Sequence, residues 1–137
     1  MNLYDSIGTN MTFQTLKGKK IIKVELIKDE NDDRTEIHFY TKSKVYRLYH
    51  EQSCCEHVII EDINGDLTKL VNETILFAEE SSNSNNNEEE YSYDSATWTF
   101  YKIGIRNEWI DIRWLGQSNG YYSECVNFTE YDLKEMY

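Results

Sequence analysis

The chain has 137 residues, a length typical of a single domain spanning 1–137, and it carries a net charge of −11. This excess of acid disfavours direct nucleic-acid binding, which depends on clustered Lys and Arg, and it favours attraction to basic partner surfaces. No apolar run approaches the roughly 20 residues that cross a bilayer, and no signal peptide is visible at the start. We therefore expect a cytoplasmic domain with no membrane association and with its three cysteines reduced.

Alternation of apolar and polar residues predicts a three-stranded antiparallel meander in the first third of the chain. Its strands are residues 20–28, 36–41 and 45–49. The β-branched segment from Val58 to Ile63 predicts a fourth strand, and Asp66 is placed to cap a short helix that ends near Val71. Residues 73–80 predict a further strand.

The segment after residue 80 contains only Ser, Asn and Glu as far as residue 90. Because these residues bury little apolar surface, the sequence predicts a mobile loop over 81–93. Beyond it, residues 95–105, 108–115 and 121–128 predict a hairpin array, and Asn119–Gly120 favours its second turn. A second helical turn is expected at 132–137.

These elements predict a mostly β fold of antiparallel sheets with one or two short helices. The sheets are expected to form either a sandwich or one strongly bent sheet. An α+β fold is the alternative.

Four sequence blocks occur together between Lys19 and Phe128. They are His50-x-Gln-x-Cys-Cys-Glu, Ile60-Glu-Asp-Ile-x-Gly-Asp-Leu, Thr97-Trp-Thr-Phe-Tyr and Arg113-Trp-x-Gly-x-Ser-Asn-Gly-Tyr-Tyr-Ser-Glu. In this combination the chain resembles a small uncharacterised domain family that is frequent in phage and prophage genomes. The resemblance carries no established activity, but it implies a phage-type setting and a protein that acts on host machinery or on host-made signals.

Aromatic, Arg and turn residues predict a ligand-binding surface in the last third of the chain. Its candidate residues are Arg113, Trp114, Ser118, Asn119, Tyr121, Tyr122 and Glu124. Flat rings, a guanidinium group and the exposed amides of a Gly turn can together hold a nucleotide or another planar anion. The alternative is that Trp98 and Trp114 are core residues, while the turn at 118–124 remains at the surface.

A cluster of soft ligands gives an alternative site, a zinc centre built from His50, Cys54, Cys55 and His57. Zinc requires about four S or N ligands in tetrahedral geometry. In an extended strand adjacent cysteines face opposite sides, so one ion collects both only where the chain turns sharply. The competing interpretation is structural, with one cysteine in the core and the other near the surface.

Walker, Rossmann, nucleophile-elbow and zincin motifs are absent from the sequence, which disfavours an enzyme without excluding one. The main hypothesis is a phage-type, cofactor-free binding protein in the host cytoplasm. It would be an anti-defence inhibitor that covers a basic site on a host protein, or a sponge for a nucleotide-like signal. A small zinc-binding enzyme or regulator is the alternative, and self-association through unpaired sheet edges is expected in each case.

Overall fold

The computed structural model describes residues 7–86 and 95–133. These residues form eleven strands and two single 3-10 turns, at Phe13–Leu16 and Leu67–Leu70. The strands in chain order are β1 (Thr9–Asn10), β2 (Lys20–Ile21), β3 (Lys23–Lys28), β4 (Arg34–Tyr40), β5 (Lys44–Tyr49), β6 (His57–Asn64), β7 (Glu73–Thr74), β8 (Phe77–Asn86), β9 (Ser95–Gly104), β10 (Trp109–Ser118) and β11 (Asn127–Asp132). The prediction of a mostly β fold is confirmed.

Three antiparallel sheets result from the pairing of these strands. The first has five strands in the order β1-β11-β5-β4-β3, the second has four in the order β6-β10-β9-β8, and β2 pairs with β7 in a third. The predicted meander is confirmed as β3, β4 and β5, which pair in sequence order. The predicted cap is also present, because the Asp66 side chain accepts a hydrogen bond from the Thr68 amide at 2.9 Å.

The two larger sheets share one hydrophobic core. The five-stranded sheet contributes Phe39 and Tyr46, and the four-stranded sheet contributes Tyr101 and Trp114, all with 1% exposure or less. Phe13 joins the two layers, since its ring centroid lies 6.5 Å from that of Phe39 and 4.6 Å from that of Tyr101. Two sheets around a common core form the layered arrangement of a sandwich.

Two sequence predictions need correction. Residues 81–86 are not a loop, because β8 continues through them and pairs with β9 as far as Asn86 opposite Ser95. A polar segment can form an edge strand when its neighbour supplies the backbone hydrogen bonds, even though it buries little apolar surface. The rest of the predicted loop falls on residues 87–93, outside the described residues.

The second correction concerns the last strand. Residues 121–128 do not form a hairpin with β10, since the chain crosses to the other layer and forms β11 between β1 and β5. Phe128 explains this choice, because its ring stacks on Tyr46 at 5.6 Å in the core.

The expected helical turn at 132–137 overlaps the end of β11 at Asp132, and residues 134–137 lie outside the described part of the chain. No helix in the described part is long and apolar enough to cross a membrane.

Candidate functional site

The outer face of the four-stranded sheet carries aromatic and charged side chains. Side chains alternate between the two faces of a strand, so burial of Thr99, Tyr101 and Ile103 places their neighbours on the solvent side. We call this solvent side the outer face. Its central residues are Trp98, Phe100, Lys102, Trp109, Asp111 and Arg113. Two of the rings are substantially uncovered, Phe100 at 40% and Trp109 at 53% exposure.

A shallow cavity of about 410 Å³ lies on this outer face. Its lining includes the carboxylates of Asp62, Glu79 and Asp111 together with the cations Lys102 and Arg113. The register explains this grouping, because Asp111 stands opposite Lys102, and Lys102 stands opposite Glu79 on the next strand. The cavity therefore combines aromatic surface with a majority of negative groups.

Arg113 is positioned by an irregularity in the pairing of β10 with β6. Arg113 pairs with Asp62 while Trp114 pairs with Ile60, which leaves Glu61 as the additional residue of a β-bulge. The Arg113 Nε group donates a hydrogen bond to Glu61 Oε2, and this contact raises the pKa of Arg113 above its usual value. Its guanidinium also lies 5.4 Å from the centre of the Trp98 ring.

Trp109 is held against the sheet by three neighbours. Its ring packs edge-on against Phe77 at 5.2 Å, and Lys102 Nζ lies 5.0 Å from the ring centre. The ring also covers Gly104 so closely that a Cβ atom there would lie 2.7 Å from it. These contacts fix an exposed aromatic side chain in one orientation.

The residues predicted for ligand binding do not form a single pocket. Trp114 has no exposure, so its assignment to a surface site is corrected: its ring faces the core. Arg113 and Ser118 are separated by an odd number of positions on β10, which places them on opposite faces and about 17 Å apart along the strand. The alternative interpretation of Trp114 as a core residue is the one that the structure supports.

Ser118, Asn119 and Glu124 contribute mainly to building the turn after β10. Buried Glu124 accepts hydrogen bonds from the hydroxyls of Ser118 at 2.5 Å, Thr97 at 2.7 Å and Ser95 at 3.2 Å. Asn119 Oδ1 accepts from the amide of Tyr121 at 3.0 Å.

The two tyrosines of this turn pack against each other. The rings of Tyr121 and Tyr122 meet edge-on at 5.1 Å. Tyr121 is 83% exposed, so the turn presents one large ring to solvent.

The four candidate zinc ligands are engaged in separate contacts. Cys54 and Cys55 are joined in a disulfide, which differs from the expectation of reduced thiols. His50 Nδ1 donates to the Cys125 carbonyl at 2.6 Å, while His57 Nε2 lies 3.4 Å from Asp33 Oδ2. Among residues 7–86 and 95–133, no three His, Cys, Asp or Glu side chains are grouped as a metal site.

Glu56 organises the loop that carries the disulfide. Its buried carboxylate accepts hydrogen bonds from the amides of Ser53 and Cys54 and from Gln52 Nε2. The Cys54 amide is the main reason why the pKa of Glu56 lies below its usual value. His50 Nε2 is 3.3 Å from this carboxylate, but the two groups do not meet in hydrogen-bond geometry. This arrangement supports a structural role for the loop.

Sequence reasoning missed several residues of the outer face. These are Phe100, Lys102, Trp109 and Asp111. Alternation within 95–105 could have placed Phe100 and Lys102 on one face of their strand, and alternation within 108–115 could have placed Trp109 and Asp111 on the same face as Arg113, because residues two apart in a strand share a face.

Comparison with known proteins identifies the chain only at the level of its family. No curated protein matches it significantly, and no solved structure does either. A family model does match, over residues 14–128, and its description is a domain of unknown function, DUF7448. The match covers most of the 137 residues, so the chain belongs to this family.

Proposed function

We propose that the protein is a non-enzymatic binding module that docks a partner protein through the outer face of its four-stranded sheet. The observation that carries the proposal is the pair of exposed rings, Phe100 and Trp109, set among charged groups on a regular sheet. Aromatic and Arg side chains provide most of the binding energy at protein interfaces. A face of this composition can bind a partner protein whose surface carries complementary charge.

The charges of the outer face favour a basic partner surface. Arg113 and Lys102 are the two cations of this region, and Glu61, Asp62, Glu79 and Asp111 are its four carboxylates, so negative charge remains in excess. Complementary charges accelerate encounter and reject partners of like charge. The net charge of −11 also attracts a basic partner surface over longer distances.

In the phage-type setting that the sequence resembles, the partner would be a host protein with a basic functional site. Proteins that bind nucleic acids have such sites, because phosphate recognition depends on Lys and Arg. The module would inhibit such a protein by covering that site. An anti-defence role follows if the covered protein belongs to host defence.

Capture of a nucleotide-like anion at Arg113 is less well supported. A phosphate group there would compete with Glu61 for the guanidinium and would meet the three carboxylates of the cavity. Like charges in direct proximity are destabilising.

The proposal is tested by co-purification from host cells followed by measurement of affinity. The variant Phe100→Ser removes an exposed ring that faces solvent, and Ile22→Ser is the matched control, since Ile22 is 45% exposed and lies outside the four-stranded sheet. For the partner identified by mass spectrometry, we expect Phe100→Ser to weaken binding by about tenfold or more and Ile22→Ser to leave it unchanged. Raised salt should also slow association.

The reverse pattern would contradict the proposal. If Phe100→Ser and a second variant, Trp109→Ala, both bound with wild-type affinity while remaining folded, the partner would use another surface. Circular dichroism of each variant establishes that the fold is retained.

A further inference from the structure

A second cavity, of about 490 Å³, gathers lysine side chains at one end of the five-stranded sheet. It lies between residues 18–20, the β4–β5 turn and β11, and it is separate from the outer face of the other sheet. Its charged lining consists of Lys19, Lys20, Lys42, Lys44 and Glu130. In a chain with 14 Lys and Arg residues against 25 Asp and Glu, this is a local reversal of charge.

Backbone hydrogen bonds fix the two segments that carry the lysines. Gly18 has a φ of +86°, which suits glycine, and its amide donates to the Ile75 carbonyl at 2.7 Å. In the β4–β5 turn, Thr41 and Lys44 exchange hydrogen bonds: Thr41 N donates to Lys44 O at 2.8 Å and Lys44 N donates to Thr41 Oγ1 at 3.0 Å. The lysines therefore extend from constrained backbone into a common space.

Tyr46 provides a buried hydroxyl in the lining of the same cavity. The side chain has no exposure, and its hydroxyl makes no hydrogen bond of good geometry within the described residues. Burial, with the nearby Glu130 carboxylate, raises the pKa of Tyr46 well above its usual value, so the hydroxyl stays protonated. The hydroxyl is closed to solvent and lies beside Glu130, so the lysine ammonium groups are the donors that a ligand can reach.

The carboxylates near the cavity only partly neutralise it. Lys44 Nζ lies 3.7 Å from Glu130 and 3.6 Å from Asp132, so two carboxylates share one of the four ammonium groups. Lys19, Lys20 and Lys42 are all exposed to solvent. The cavity therefore carries an excess of positive charge.

We propose that this cavity binds a small phosphate-bearing ligand, with the lysine ammonium groups on the phosphate oxygens. Lysine is a common phosphate ligand, and the volume is within the range of small-molecule sites. The acidic remainder of the protein repels an extended polyanion or an anionic membrane, so a small ligand fits better than a polymer. This site is independent of the outer face and of its proposed partner.

The experiment is a titration of the ¹⁵N-labelled full chain with inorganic pyrophosphate at low ionic strength, followed by NMR. We expect saturable shifts at the amides of Gly18–Lys20 and Thr41–Lys44. The double variant Lys20→Ala/Lys42→Ala should bind about tenfold more weakly, since each partly exposed charge contributes a few-fold.

The matched control is Lys28→Ala/Lys69→Ala, which removes the same charge from positions outside the cavity. If both double variants lost affinity equally, the attraction would be general and the site would not exist. Absence of saturation at millimolar pyrophosphate would also overturn the proposal. Tighter binding of a single-stranded oligonucleotide than of pyrophosphate or ADP would overturn the assignment to a small ligand.

Discussion

Glu36 shows how a single carboxylate can be held charged inside a sheet. Arg47 on the neighbouring strand donates to both of its oxygens, Nε to Oε1 at 2.7 Å and Nη2 to Oε2 at 2.8 Å, and His38 Nε2 lies 2.8 Å from Oε1. Burial on its own would raise the pKa of Glu36, but these hydrogen bonds outweigh it and lower the pKa from 4.5 to about 2. Such a bidentate pair is much stronger than an exposed ion pair.

The low pKa of Glu36 predicts that acid removes stability through this residue. Because the pKa is lower in the folded than in the unfolded state, the contribution is complete above about pH 4.5 and is lost as the pH falls towards 2. It amounts to about 3 kcal/mol at neutral pH, of which about 2 kcal/mol is lost by pH 3. Urea unfolding of wild type and Glu36→Gln should therefore show a gap in unfolding free energy that narrows between pH 7 and pH 3. Exposed Glu108→Gln is the control, and a gap independent of pH would contradict the argument.

At the scale of elements, the sequence predicted the positions of strands better than it predicted which strands pair with each other. Alternation of apolar and polar residues identified β3, β4, β5 and β9, and burial follows it most clearly in β9, where Thr99, Tyr101 and Ile103 are buried while Phe100 and Lys102 are exposed. Pairing partners depend on contacts between distant residues, which alternation does not encode. Self-association through the sheet edges, which include β8 and β6, stays a prediction.

In the candidate site, too, contacts between residues distant in the sequence could not be predicted from alternation. Arg113 was recognised from its chemistry, but Glu61, 52 positions away, meets it only because a bulge in β6 turns that side chain towards it. Trp114 was assigned to the ligand-binding surface because its flat ring lies next to Arg113 in the sequence, with a core position as the alternative. Its position on β10 instead points it into the core beside buried Ile112 and Ile110, which are two and four residues away.

The end of β10 depends on close contact between Gly116 and Glu124. A Cβ atom on Gly116 would lie 2.7 Å from Glu124 Cβ and 3.0 Å from its carbonyl oxygen, so backbone would have to move. We expect Gly116→Ala to lower the free energy of unfolding by about 1–3 kcal/mol, the usual cost of overpacking. It should also increase hydrogen exchange at residues 118–122, because the Glu124 carboxylate would lose its position on the Ser118 and Thr97 hydroxyls.

Exposed Gln117→Ala, on the same strand, is the control for this substitution. If Gly116→Ala were as stable as Gln117→Ala, with unchanged exchange in the turn, the contact would have no structural importance. Chemical denaturation and exchange mass spectrometry measure the two effects separately.

At the scale of the whole molecule, two electrostatic effects oppose each other. The net charge of −11 makes the folded chain repel itself, whereas individual ion pairs attract. Pairs such as Arg47–Glu36 are largely buried, with 16% and 15% of the side chains exposed, so salt screens them little. The exposed pairs, such as Lys28–Asp32, contribute little in any case.

Repulsion should therefore dominate the response of stability to salt. Raising NaCl from about 0.02 to about 0.2 M shortens the screening length from roughly 20 Å to below 10 Å, which weakens repulsion across the whole molecule. We expect the free energy of unfolding to rise by on the order of 1 kcal/mol. The double variant Glu79→Gln/Asp111→Asn, which removes two exposed charges from the outer face, should respond less because it starts from weaker repulsion. A fall in stability with salt would instead mean that attraction within local ion pairs outweighs the repulsion among the acidic groups of the folded chain.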